Sequence, residues 1–140
     1  MKVDFFILNE ATQQQALLFA CQCIEKARAE NEHVFIHTNS KEEAERLDNL
    51  LWTFKEDSFL AHSIHDPEDM DPPPIQIGYQ HAPQQGTQTL VNLSRALPDF
   101  HTRFSRIIEI VFSEPQHQQA ARERYRHYRE QQYELNTHKL

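Results

Sequence analysis

Apolar residues along this 140-residue chain fall alternately into short runs and spaced stripes. Val3 to Leu8 (VDFFIL) is a run of strand length, and Asn9 and Thr12 after it carry side-chain oxygens that cap a helix start. Ala16, Leu17, Ala20, Cys21, Ile24 and Ala27 then recur every three or four residues, which predicts an amphipathic helix from Gln13 to Ala29 covering one face of a sheet. His33 to Thr38 (HVFIHT) is β-branched and aromatic, and it leads into Ser40 and Glu43 at capping-box spacing. The helix they open runs to Trp52, with Ala44, Leu47, Leu50 and Leu51 facing inward. Strand, helix, strand, helix in this order implies parallel pairing through right-handed crossovers.

Further along, DPEDMDPPP (66–74) is acidic and proline-rich, which forbids helix and marks a surface connection. Ile75 to Tyr79 and Thr89 to Leu93 read as strands separated by the polar loop HAPQQGTQ. Ile107 to Phe112 (IIEIVF) reads as a last strand before Pro115, and Gln116 to Tyr133 as a helix. No internal repeat interrupts this order. A chain of this size forms one core, so residues 1–140 are expected to be a single α/β domain: a partly parallel sheet flanked by helices.

Composition narrows the class. With 39% hydrophobic and 25% charged residues the chain has the apolar material to fold, unlike an acidic disordered segment. The opening run is too short for a signal-peptide core or a membrane span, so a cytoplasmic protein with no membrane partner is expected. Cys21 and Cys23 lie two apart on a helix, so their side chains diverge by about 200° and cannot bridge; reduced thiols are expected. Residues 1–100 hold seven basic and sixteen acidic groups (net −9) and residues 101–140 hold seven and five (net +2), together the −7 of the chain. That acidic bulk argues against direct nucleic-acid binding.

Candidate chemistry is sparse. The chain has two glycines, Gly78 and Gly86, so the layout comes without a nucleotide-binding loop, and Leu8-Asn9-Glu10-Ala11 puts a carboxylate at the first strand-helix junction. No G-x-S-x-G elbow is present, and the cysteines lie on an amphipathic helix rather than in an electropositive setting. His62, His65, Asp66, Asp69 and Asp71 crowd one region with mixed donors, but a proline-flanked acidic loop lacks the rigidity of a metal site. The expectation is no catalytic constellation, no metal and no cofactor.

The last helix is more informative. Arg122, Arg126 and Arg129 lie within about 60° of one another on it, with Tyr125 at the edge of the arc, while His117, Ala121, Tyr128 and Gln132 form a less polar stripe able to rest on the sheet. Arg126 has Glu123 and Glu130 within helical reach and is expected to be partly paired; Arg122 and Arg129 have no acidic residue three or four positions away. Such a face is either solvated charge or a receptor for an external anion. Guanidinium forks beside an aromatic ring suit a peptide that ends in a carboxylate and carries an apolar side chain. Single-stranded nucleic acid fits less well, since a stacking platform needs more aromatics and a longer basic groove.

The run Ala121-Arg122-Glu123-Arg124-Tyr125-Arg126-His127-Tyr128-Arg129, followed by Leu135-Asn136-Thr137, resembles the end of the chi subunit of bacterial DNA polymerase III holoenzyme. Further matches stand in order: Val3-Asp4-Phe5-Phe6-Ile7-Leu8, Ala44-Glu45-Arg46-Leu47-Asp48 running to Leu51-Trp52, and Ser58-Phe59 with His62. The resemblance implies a Rossmann-like fold that has lost nucleotide binding, in a noncatalytic accessory subunit of the clamp loader. It implies a site at Arg122, Tyr125, Arg126 and Arg129 for the acidic C-terminal tail of single-stranded-DNA-binding protein. It also implies a second surface, at Trp52 and Phe59, for the psi subunit; ordinary core packing at a helix end and a following strand is the alternative there. In one respect the chain departs from the family. Between Phe112 and Gln119 it is shorter and offers Ser113 where an aliphatic residue could line the tail pocket.

Overall fold

A computed structural model of the protein describes residues 1–9, 12–55, 60–83 and 88–140. Seven strands, β1 (Lys2–Ile7), β2 (Val34–His37), β3 (His62–Ile64), β4 (Ile75–Gly78), β5 (Thr89–Asn92), β6 (Arg106–Val111) and β7 (Glu134–Lys139), form one sheet in the order β3-β4-β2-β5-β6-β1-β7. Three helices, α1 (Gln13–Ala29), α2 (Lys41–Thr53) and α3 (Pro115–Glu130), flank it, so the fold is Rossmann-like α/β. Every pairing is parallel, where a partly parallel sheet was expected. The reason lies in the connections: strands consecutive along the chain are not joined by hairpins, and β4 and β5, flanking the polar loop, are separated by β2.

Alternation within the strands builds two cores. Ile36, Ile77, Val91, Ile108 and Ile110 face one side and meet Leu17, Cys21 and Ile24 of α1 and Leu47 and Leu51 of α2. Val3, Phe5, Phe35, Leu90, Ile107 and Val111 meet Ala121 and Tyr128 of α3 on the other. Phe35 lies so close to Gly78 that a Cβ there would overlap the ring. Thr12 and Gln15 cap α1 reciprocally, and Ser40 Oγ accepts the Glu43 N–H at the start of α2.

Chains poor in glycine must end helices otherwise. Asn31 and Gln132, both at φ 61°, take the left-handed position after α1 and α3. Glu32 N–H reaches Ala27 O and Asn31 N–H reaches Arg28 O after α1; Tyr133 N–H reaches Tyr128 O and Gln132 N–H reaches Arg129 O after α3. Both ends are Schellman motifs. The second stops the last helix three residues before the expected Tyr133 and turns the chain into β7, a strand the hydrophobic pattern does not announce. It also leaves Gln132 exposed, so the stripe that rests on the sheet is His117, Ala121, Arg124 and Tyr128. In the 66–74 connection, Asp66 and Asp69 each accept a backbone N–H two residues on, as surface turns do.

Candidate functional site

α3 lies on the sheet through a buried charged network. Glu109, in the middle of β6, is fully buried, and Arg124 is 3% exposed. Arg124 Nε donates to both Glu109 oxygens at 3.1 Å, and Nη1 donates to Arg95 O at 2.6 Å. Nη2 stands 3.1 Å from Oε1 as an ion pair without hydrogen-bond geometry. Tyr128 Oη and Asn92 Nδ2 donate to Oε2 at 2.6 and 3.1 Å, and burial, reinforced by this carboxylate, drives the Tyr128 phenol far above its ordinary pKa. Near the first turn, His117 Nε2 donates to Ile110 O at 2.9 Å and its ring stacks on Phe112 at 4.1 Å. Burial lowers the pKa of His117, although the bond to Ile110 opposes the shift, so the ring is neutral at pH 7.

Held this way, α3 leaves a cleft of about 310 Å³ between its shoulder and the β1–β7 edge. Phe5 and Ile7 of β1, Val111 of β6 and Ala121 of α3 supply apolar walls, with Gln118, Thr137, Tyr125 and Arg122 around them. The Tyr125 ring is half-buried and meets Phe5 edge-on at 5.2 Å between centroids. Arg122 is exposed. Of the four residues expected to share a site, these two line the cleft. Arg129 is exposed on the same shoulder, two turns or about 10 Å further along the axis. Arg126 points farthest from the sheet, on the side of the helix opposite the buried stripe.

Arg126 was expected to pair with Glu123 or Glu130, yet no ion pair joins them. All three side chains are exposed, and hydration outweighs a weak helical pair there. Among the described residues Arg122, Arg126 and Arg129 have no carboxylate partner. Ser113 is exposed and does not line the cleft; Val111, two residues earlier, supplies the aliphatic wall. The apolar half of the site, Phe5, Ile7 and Val111, was missed because these positions read simply as core. The anchoring pair had one signal: Glu109 interrupts the run IIEIVF, and a carboxylate in a buried strand requires a partner.

At the other sheet edge, Trp52 is 63% exposed, so it is not a core residue, and its ring sits 4.6 Å from that of His62. Phe59 lies outside the described residues. His62 contacts Leu60 O and Asp48, whereas His65 turns to Gln76; among the described residues no group of three or more such ligands converges on a metal position. Cys21 and Cys23 are free thiols, with pKa values pushed up by burial to about 12 and about 11.

In sheets of this kind ligands bind where the direction of winding reverses, here between the C-terminal ends of β2 and β5. Asn39 fills that point: its Oδ1 accepts the Arg95 N–H at 2.8 Å and its Nδ2 donates to Glu43 Oε2 at 3.2 Å. Gln13 Nε2 donates to the same carboxylate oxygen of Glu43, which is 8% exposed. A largely buried carboxylate in the first turn of α2 opposes the phosphate that position would otherwise attract.

The molecule is thus a Rossmann-like α/β domain with an apolar, arginine-rimmed cleft at a sheet edge and a carboxylate at its switch point. Residues 1–136 match the family described as DNA polymerase III chi subunit, HolC. Two relatives named DNA polymerase III subunit chi align over nearly their whole length. The one from Pseudomonas aeruginosa is 36% identical over 139 residues, covering 99% of this chain and 96% of its own. The one from Escherichia coli is 29% identical over 138, covering 95% and 94%. The chain belongs to the DNA polymerase III chi subunit family. Among the described residues no helix is long and apolar enough to cross a membrane.

Proposed function

We propose that this chi-family protein is a noncatalytic cytoplasmic adaptor. Its α3 cleft receives the acidic C-terminal tail of single-stranded-DNA-binding protein, while the Trp52 side holds the psi subunit and through it the clamp loader. The observation that carries the reading is the pairing, in one cleft, of apolar walls at Phe5, Ile7 and Val111 with the unpaired Arg122 guanidinium at the rim. The tail's terminal ring enters against Tyr125, and Arg122 binds the terminal carboxylate. Arg129 meets acidic groups further up the tail, and Arg126 adds only diffuse attraction. The Trp52 ring, large, apolar and exposed, has the chemistry of an interface anchor. Neither contact involves nucleic acid or a cofactor.

Anisotropy titration of a fluorescent acidic peptide ending in Pro-Phe tests the cleft. Arg122→Ala should weaken binding at least about tenfold, the loss of one charge-assisted hydrogen bond, and Arg126→Ala less than about threefold. Equal affinity of wild type and Arg122→Ala overturns the assignment. Trp52→Ala should leave the titration unchanged and abolish co-purification with psi.

A further inference from the structure

We propose that the peptide held at this cleft joins the sheet as an eighth strand along the outer edge of β7. The inference rests on the reading of the cleft as a peptide receptor and adds to it a mode of binding. β7 is an edge strand, paired with β1 alone. Glu134 N–H donates to Met1 O at 3.1 Å and Leu140 N–H to Ile7 O at 3.0 Å. In a parallel ladder alternate residues turn both N–H and C=O toward the same neighbour. Glu134, Asn136, His138 and Leu140 therefore face β1, and the backbone groups of Leu135, Thr137 and Lys139 point outward. None of the three has a backbone partner among the described residues on that side.

The open edge and the cleft are one surface. Leu135 packs into the α3-side core and Thr137 lines the cleft, so the odd-numbered side chains of β7 stand on the face that α3 covers. A strand laid beside β7 would run under the shoulder bearing Arg122, Tyr125 and Arg129. Side chains on one face of a strand recur every ~6.8 Å, so a carboxylate-terminated acidic peptide would present two carboxylates along the ~10 Å from Arg122 to Arg129. Lys139 adds a third cation on β7 itself, and no carboxylate among the described residues pairs with any of the three. An acidic, extended peptide is the occupant that this charge and this edge select. Main-chain pairing then supplies affinity, and the cleft selects the peptide's end.

Amide hydrogen exchange of the full chain, with and without saturating acidic peptide ending in Pro-Phe, tests the pairing. Leu135, Thr137 and Lys139 should gain at least about tenfold protection, while Asn136 and His138, already bonded to β1, change little. A scan of N-methylated peptides should lose about three- to tenfold affinity at alternate positions only, one hydrogen bond at a time. If Arg122 and Tyr125 respond to peptide but the scan shows no period of two, the strand proposal fails and the cleft reading stands. Failure of the unmodified peptide to bind removes the cleft reading and this proposal with it. Protection of the three amides that rises with protein concentration in the absence of peptide would assign the edge to a second copy of the chain, and so overturn the proposal.

Discussion

Arg124→Met is the substitution whose outcome the structure specifies most tightly. It keeps much of the side chain's volume and removes the cation facing Glu109, a fully buried carboxylate. Tyr128 Oη and Asn92 Nδ2 would remain as donors at 2.6 and 3.1 Å, but they carry no charge. Leaving a buried ion without its counter-ion costs about 3–5 kcal/mol, against at most about 1 kcal/mol for a surface pair. With a urea slope near 1.5 kcal/mol/M, the midpoint should fall by about 2–3 M. That is a large share of a total stability of order 5–15 kcal/mol. Glu109→Gln alone strands Arg124 in the same way. The double variant leaves neither charge, and its cost should be smaller than the two single costs together by about 2–3 kcal/mol. A loss below about 1 kcal/mol for Arg124→Met, or strict additivity in the cycle, would refute the account of how α3 is held on the sheet.

Three further outcomes follow from packing and ionisation. Gly78→Ala should cost about 1–3 kcal/mol in the same urea assay, because the Phe35 ring is fully buried against Phe100, Phe104 and His65 and has little room to withdraw. Cys21 and Cys23, with pKa values near 12 and 11, should alkylate at pH 8 far more slowly than an exposed cysteine in folded protein and at ordinary rates in urea. Burial pushes the Asp4 carboxyl up, yet hydrogen bonds from His138 and Arg106, at 3.1 Å each, more than offset it and hold the pKa below the ordinary 3.8. A depressed folded-state pKa contributes stability above 3.8 that is lost as pH falls through the folded value. Urea midpoints from pH 6 to pH 2.5 should therefore fall less steeply for Asp4→Asn than for wild type; parallel profiles would exclude this contribution.

How much of this was legible depended on whether a residue's neighbours lie nearby in the chain. Ala16 to Ala27 and Ala44 to Leu51 announce α1 and α2 because a helix buries a stripe that recurs within itself. β7 was hidden for the opposite reason. Its residues ELNTHK include one apolar side chain, so the strand owes its existence to the register with β1, more than 130 residues earlier in the chain. Sheet order was equally illegible, since nothing in Val34–His37 states that β4 and β5 will flank it. The same limit divides the cleft. Helical arithmetic put Arg122 and Tyr125 together, but Phe5, Ile7 and Val111 reach them only through the fold. Spacing also offered Arg126 two carboxylates that it does not bind, because proximity along a helix does not outweigh hydration at its exposed side.

Position in the sheet also bears on how two partners could be held at once. Trp52 stands in the last turn of α2, which packs against β3 and β4, and its ring meets His62 at the start of β3. The α3 cleft opens beside β7. Six inter-strand steps of about 4.8 Å separate the outermost strands, so the two surfaces stand roughly 29 Å apart before the twist of the sheet is counted. No side chain spans that distance, and between the two edges β5 and β6 are stapled to α3 through Asn92, Glu109 and Arg124. The proposed adaptor can therefore bind at each end without steric interference. The weak, salt-sensitive contact expected of a short acidic tail can then exchange while the other partner stays in place.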